Sequence, residues 1–214
     1  LHSFPTRRSS DLEEGISLNP ILQSFQETVR TYQIDRALIK QFLHSMEMDL
    51  QKVEYNSELY QEYILGSAEV VGLMCLQVFV SGNKAQYEHL KPYAMKLGSA
   101  FQKVNFLRDL KDDFHVLGRT YFPSIEMNVF NNEVKSKIEE EIAVEFKESL
   151  AGIKQLPVSS RFGVYLAYKY YLSLFNKIRK ISAERIMKER IRIPNGQKLS
   201  LAMSSYVQYK MAIL

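Results

Sequence analysis

Apolar positions along this chain recur at helical rather than strand spacing, and the breaks between runs carry helix-capping residues. Asn19-Pro20 reads as an N-cap followed by a proline at the first helical position, opening ILQSFQETVRTY. Asp35 caps RALIKQFLHSMEMDL, where Leu38, Phe42, Ser45, Met46 and Asp49 fall near one face. From Ser57 a long helix runs to a stop at Gly82. Its window 63–80 is shorter than a typical spanning helix and carries Glu69, which predicts a buried core helix. Asn83 starts a further helical stretch in which Pro92 is expected to make a kink or break. Segment 93–117 then ends at Gly118. Acids and bases alternate in NNEVKSKIEEEIAVEFKESL, predicting an exposed amphipathic helix with pairs at i, i+4, closed by Pro157. SSRFGVYLAYKYYLSLFNKIRK, a short piece around 184–189 and GQKLSLAMSSYVQYKMAIL complete the pattern. Period-two alternation is confined to short pieces, so the fold class is all-α, with no internal repeat or linker.

The opening LHSFPTRRSSDL departs from this pattern, being Ser/Arg-rich and without helical period. Residues 1–12 are therefore read as a foreign or misread leader, and residues 13–214 as one helical domain.

Composition narrows the class further. With 46% hydrophobic and 12% aromatic residues in 214, the chain can bury one good core. Its one cysteine, Cys75, lies in the apolar run VVGLMCLQVFV; it reads as an inert core residue, and the shortage of cysteine suits a reducing cytoplasm. The net charge of +4 fits an anionic substrate or an acidic membrane surface as well as it fits nucleic acid. Aromatics do not alternate with the late basic residues in KIRKISAERIMKERIRIPNGQK, so a nucleic-acid partner is not expected. His44, His89 and His115 lack metal-ligand spacing, and no Walker loop, G-x-G-x-x-G or G-x-S-x-G occurs.

Candidate chemistry concentrates in NFLRDLKDDFHVLGRTYFP, residues 105–123. Asn105, Asp109 and Asp113 share one helix face, an oxygen-donor stripe of roughly 12 Å at about 1.5 Å rise per residue. Two readings stand side by side: a solvated face with i, i+4 pairs, or a site for a hard cation such as Mg²⁺ that also holds phosphate oxygens. Beside apolar helices, the second implies a substrate with a charged head and a long greasy tail.

GSAFQKVNFLRDLKDDFHVLGRTYFP resembles the second Asp-rich signature of the squalene/phytoene synthase family, A-x-Q-x-x-N-x-x-R-D-x-x-x-D followed by G-R-x-Y-x-P. Ala100, Gln102, Asn105, Arg108, Asp109, Asp113, Gly118, Arg119, Tyr121 and Pro123 fill its fixed positions. The resemblance, most like a bacterial phytoene synthase, extends from Glu13 onward. YILGSAEVVGLM is similar to the family's tyrosine-led helix, carrying over Tyr63, Ala68 and Gly72, and MEMDL places Asp49 toward the cavity. YLAYKYYLSLFNKIRK sets Tyr171 at the pocket, and RIRIPNGQKL offers Arg190 as a diphosphate contact.

The resemblance implies an isoprenoid-synthase-type helical bundle around a central cavity and a head-to-head prenyl transfer. Two geranylgeranyl diphosphates would give phytoene through a cyclopropylcarbinyl diphosphate. It implies catalytic roles for Asp109, Asp113, Tyr63 and Tyr171, and substrate contacts from Asn105, Arg108, Gln102, Asp49, Arg119 and Arg190. Asp109, Asp113 and Asn105 would hold Mg²⁺, with Mn²⁺ as the alternative; NADPH would enter only for a squalene synthase. A squalene or dehydrosqualene synthase using farnesyl diphosphate, and a non-catalytic helical assembly protein of the same fold, are the competing readings. Partners expected are prenyl diphosphates and a peripheral contact with a membrane for product release, in the cytoplasm. The family's first Asp-rich motif has no counterpart before Asn19, so the chain is expected to be N-terminally truncated, without its first helices and with little activity.

Overall fold

The computed structural model describes residues 17–50, 55–115, 121–122 and 130–211. Helices α1 (Pro20–Thr31), α2 (Arg36–Met48) and α3 (Ser57–Ile64) lead into a π-helical turn, Leu65–Glu69, that continues directly as α4 (Val70–Phe79). Then come α5 (Lys84–His115), α6 (Asn132–Gln155), α7 (Val158–Arg179), the short α8 (Ala183–Ile186) and α9 (Asn195–Lys210). No strand occurs among the described residues, in line with the all-α expectation.

Local chemistry sets the helix starts. The Asn19 side chain accepts from the backbone N–H of Ile21 at 2.9 Å with Pro20 at the first position, and Asp35 accepts from Ala37 N–H at 2.8 Å. Asn56 caps α3, which begins at Ser57 as expected, accepting from Leu59 N–H at 2.8 Å. At the far end of α4, Ser81 (φ 51°) and Gly82 (φ 75°) both take left-handed backbone, and Gly82 N–H reaches the Gln77 carbonyl at 3.1 Å. That closure satisfies a carbonyl left free at the helix end, in a conformation glycine adopts without Cβ cost.

Three expectations change. The 57–82 run is not uniform, because the π-helical turn 65–69 inserts one residue's worth of slack before α4. Pro92 does not break the chain: α5 is one helix of 32 residues that contains it. Pro92 and Glu88 are both exposed, so water can satisfy the Glu88 carbonyl that Pro92 cannot donate to. Finally, α6 is a core helix rather than an exposed one, burying Lys135, Glu139, Ile142, Glu145, Phe146 and Ile153. Its charges go inward because they are paired there: Lys135 with Glu139 within α6, and Lys103 of α5 with Glu141 and Glu145.

The long α5 is the axis of the molecule, packing against the π-helical turn and α4 on one side and α6 and α7 on the other. Close approach is built into Gly98, where a Cβ would stand 2.7 Å from the Ala68 carbonyl oxygen. The main core runs through Ile64, Val104, Leu107, Ile142, Phe146, Phe175 and Ile178.

Candidate active site

Between α4, α5, α6 and α7 lies a cavity of about 820 Å³. Its walls are mostly aliphatic and small: Val71, Gly72, Leu76 and Val78 from α4, Ala94 and Leu97 from α5, Ile153 and Leu156 from α6, Val164 and Ala167 from α7. Along α5 the lining residues run from Leu90 to Gln102, about 18 Å at 1.5 Å per residue. The helix expected to be plain core is therefore the wall of a hollow. Ser57–Phe79 is long and apolar enough to cross a bilayer by length and composition, yet much of its apolar surface faces this cavity. Cys75, expected in the core, is instead an exposed residue at the edge of the cavity; partial desolvation by the surrounding apolar groups raises its thiol.

Polar groups gather at the Gln102 end. The spacing on α5 does what helical geometry requires: Asn105 Nδ2 lies 3.5 Å from Gln102 Oε1, and the Tyr171 hydroxyl donates to Asn105 Oδ1 at 3.3 Å. Tyr171 also stacks on Phe101, a lining residue, with ring centroids 3.9 Å apart. One turn on, Asp109 is gripped by two guanidiniums. Arg108 Nε donates to its Oδ1 at 3.0 Å with a second bond from Nη2 to Oδ2, and Arg190 Nε approaches Oδ1 at 2.7 Å. The hydrogen bond to Asp109 raises the Arg108 guanidinium still further, keeping it charged. Asp113 follows on the same face, partly buried.

The structure thus joins Gln102, Asn105, Arg108, Asp109, Tyr171 and Arg190 in one cluster. Tyr63 and Asp49 form a separate pair: the Tyr63 hydroxyl donates to Asp49 Oδ1 and Oδ2 at 3.1 and 3.0 Å. Neither is among the residues lining the large cavity. Tyr63 sits instead in an aromatic cluster with Tyr55, Phe106 and Tyr121, and burial, followed by the neighbouring Tyr121 and Asp49, holds its hydroxyl fully protonated. Arg119 lies outside the described residues.

Two groups had no signal in the sequence pattern. Phe101 links the cavity to Tyr171, but a phenylalanine in an apolar stripe reads as core. Lys103, 2% exposed, sits between Gln102 and Val104 in the acidic helix, and only the placement of α6 reveals its two glutamate partners.

Among the described residues no group of three or more His, Cys, Asp or Glu side chains converges to hold a metal ion by itself. The donor set of amide and carboxylate oxygens along one helix face fits a hard cation that keeps water and phosphate ligands, and does not fit a closed protein cage.

Comparisons with known proteins bear on the family and the fold. The family model for squalene/phytoene synthase matches residues 6–197. Phytoene synthase 1 of Zea mays is 28% identical over 213 residues, covering 90% of this chain and 51% of that protein. The 15-cis-phytoene synthase of Pantoea ananas is 25% identical over 202 residues, covering 87% of this chain and 63% of that one. The chain thus spans about half the length of the plant relatives it matches. Among solved structures, a dehydrosqualene synthase crystallised with ligand superposes with a TM-score of 0.81 at 18% identity, over 98% of this chain and 78% of that one. A squalene synthase from Alicyclobacillus acidocaldarius gives 0.69 at 17% identity, over 82% and 71%. With the squalene/phytoene synthase model matched over 192 of its 214 residues, this chain belongs to the squalene/phytoene synthase family.

Proposed function

We propose that this chain is the cavity-bearing part of a prenyltransferase that condenses two prenyl diphosphates head-to-head, with two geranylgeranyl diphosphates giving phytoene. The observation that carries the reading is one of placement: an apolar hollow about 18 Å long along α5 ends at a cluster of carboxylate, amide and guanidinium groups. A substrate fitting both ends has a hydrocarbon tail and an anionic head. Relatives named as phytoene synthases favour the longer, twenty-carbon tail.

In this reading Arg108 and Arg190 receive the diphosphate, and Asp109 and Asp113 with Asn105 hold Mg²⁺, or Mn²⁺ in its place. The metal, when bound, neutralises charge on the departing diphosphate. As the carbon–oxygen bond breaks, the diphosphate leaves with the electron pair and the guanidiniums stabilise it electrostatically. The allylic cation left behind is attacked by the double bond of the second substrate, and loss of a proton closes the cyclopropane. Tyr171 keeps Asn105 oriented through its hydroxyl, and the aliphatic walls from α4 and α7 keep water from capturing the cation. The Asp49–Tyr63 pair fixes the start of the cavity-wall helix from behind. NADPH has a use only if the product is squalene.

The test is a product assay of two proteins, the 214-residue chain and the same chain preceded by the upstream coding sequence of its gene. Each is incubated with labelled geranylgeranyl or farnesyl diphosphate and Mg²⁺. The expected result is a forty-carbon hydrocarbon from the longer protein, abolished by Asp109→Ala, with little or none from the shorter. A thirty-carbon product would move the assignment to squalene or dehydrosqualene synthesis; no hydrocarbon from either protein would favour a non-catalytic role.

A further inference from the structure

The large cavity is closed at the end away from Gln102. Leu76 of α4, Leu90 of α5 and Leu156 just past α6 line it there, are only 2, 2 and 6% exposed, and pack with Val80 into one buried cluster. A hydrocarbon tail entering from the polar end therefore meets a floor rather than solvent. Where that floor stands along α5 decides how long a tail fits.

Of the side chains laid against that cluster, Phe79, Tyr93, Ala94 and Val164 also line the cavity, and Tyr93 is the largest of them. Along α5 it stands about 14 Å from Gln102 and about 24 Å from Asp109, at 1.5 Å per residue. Its ring is wedged. On the α6 side it lies against Gly152, where a Cβ would stand 2.2 Å from Tyr93 Cβ and 2.7 Å from its Cγ, so only glycine lets α6 close on it. On another side His89 meets the ring edge to face, with centroids 6.3 Å apart, and His89 Nε2 is itself held 2.7 Å from Gln155 Oε1. A ring seated in this way yields to a longer tail only by displacing α6 or the buried cluster, which close packing opposes.

We infer that Tyr93 is a specificity-determining residue, the floor that sets the length of tail the cavity accepts, and that Gly152 is the position that seats it. That the tail is a prenyl chain rests on the function proposed above. The ring, and not its hydroxyl, carries the role, because what stops a tail is bulk at a closed end. Extra bulk at this position has the hollow to enter, since α6 leaves no room at Gly152, whereas loss of the ring deepens the hollow by the space it filled.

The test is calorimetric binding of farnesyl, geranylgeranyl and geranylfarnesyl thiodiphosphates, with tails of fifteen, twenty and twenty-five carbons, to the 214-residue chain and three variants in the presence of Mg²⁺. Ratios of affinity between tails are read, because a variant that merely loosens the fold weakens all three alike. Tyr93→Ala should raise affinity for the twenty-five-carbon tail relative to the fifteen-carbon one by tenfold or more, since each buried methylene contributes about fourfold. Tyr93→Trp should lower affinity for the twenty-carbon tail relative to the fifteen-carbon one by tenfold or more. Tyr93→Phe keeps the ring and should match the parent within twofold in both ratios. If the indole unfolds the chain in a thermal melt, the Tyr93→Ala ratio decides. The assignment is overturned if either ratio in a folded variant stays within twofold of the parent's, or if Tyr93→Phe shifts as Tyr93→Ala does; the prenyltransferase reading then stands. Binding of no analogue to the parent overturns that reading and this assignment together. Because the readout needs no turnover, a failed product assay with shifted ratios leaves the floor at Tyr93 standing.

Discussion

Asp109 is the residue on which the site turns, because its carboxylate is shared between Arg108 and Arg190. The family's pattern picked out Asp109 and Arg108 as neighbours in sequence, and Asn105 and Asp113 followed from helical spacing. The resemblance offered Arg190 as a diphosphate contact, but its 2.7 Å contact with Asp109, eighty-one positions earlier, was not legible, since no periodicity connects α5 to the stretch after α8. A second residue-scale expectation concerns Tyr63. Tyr63→Phe removes one donor to both Asp49 oxygens and should destabilise the fold by about 1–2 kcal/mol in denaturant titration, the usual net worth of a hydrogen bond to a charged acceptor. A change within error would mean that water replaces the phenol.

At the scale of elements, the α5–α6 contact shows why the pattern of charges misled. The sequence of α6 carries i, i+4 pairs that normally belong to a solvated face, and nothing local says that Lys103 of α5 will meet Glu141 and Glu145. Ser99 donates to Glu145 Oε1 at 2.9 Å, and Glu69 of the π-helical turn lies in the field of the same group. Lys103→Met should leave buried Glu145 with only the half-exposed Lys96, 3.9 Å away, as cation and cost about 3 kcal/mol at neutral pH. The additional change Glu145→Gln should recover much of that loss. The Glu69 carboxyl is raised by burial first and by the Glu145 charge second, against the lowering pull of Lys103 and Lys96. Its folded value therefore lies above its unfolded one, so its favourable contribution is complete below the unfolded value and is lost as pH rises through the folded value. Glu69→Gln should flatten the stability profile across that mildly acidic window; an unchanged slope would assign the pH dependence elsewhere. Helix starts at Asn19 and Asp35 were legible because capping is local chemistry, whereas the intact helix through Pro92 depended on which face of α5 meets solvent.

For the whole molecule the all-α bundle could be read from periodicity, but a hollow interior could not. A helix that lines a cavity and one that fills a core share the same apolar composition, and only the positions of α5, α6 and α7 around α4 make it the former. The far part of that cavity offers a test of how tail length is measured. A Cβ at Gly163, on the cavity lining, meets nothing within 4 Å, so a side chain such as that of Gly163→Phe starts into open space without a backbone clash in α7. The variant should keep or gain thermal stability and should lose affinity for a geranylgeranyl thiodiphosphate by tenfold or more relative to the farnesyl analogue, measured by calorimetry. Equal losses for both tails would mean that the chain does not reach Gly163.

The central claim is that the acidic helix binds a diphosphate through metal rather than merely forming ion pairs, and calorimetric titration of inorganic diphosphate into the chain and its Asp109→Ala variant tests it by sign. Without Mg²⁺, the variant frees Arg108 and Arg190 and should bind diphosphate more tightly than the parent. With Mg²⁺, the order should invert, the parent binding at least tenfold more tightly, because Asp109 is then needed to hold the cation that holds the anion. If the variant binds more tightly under both conditions, Asp109 is only a counter-ion for its two arginines, and the metal-dependent account of this site is contradicted.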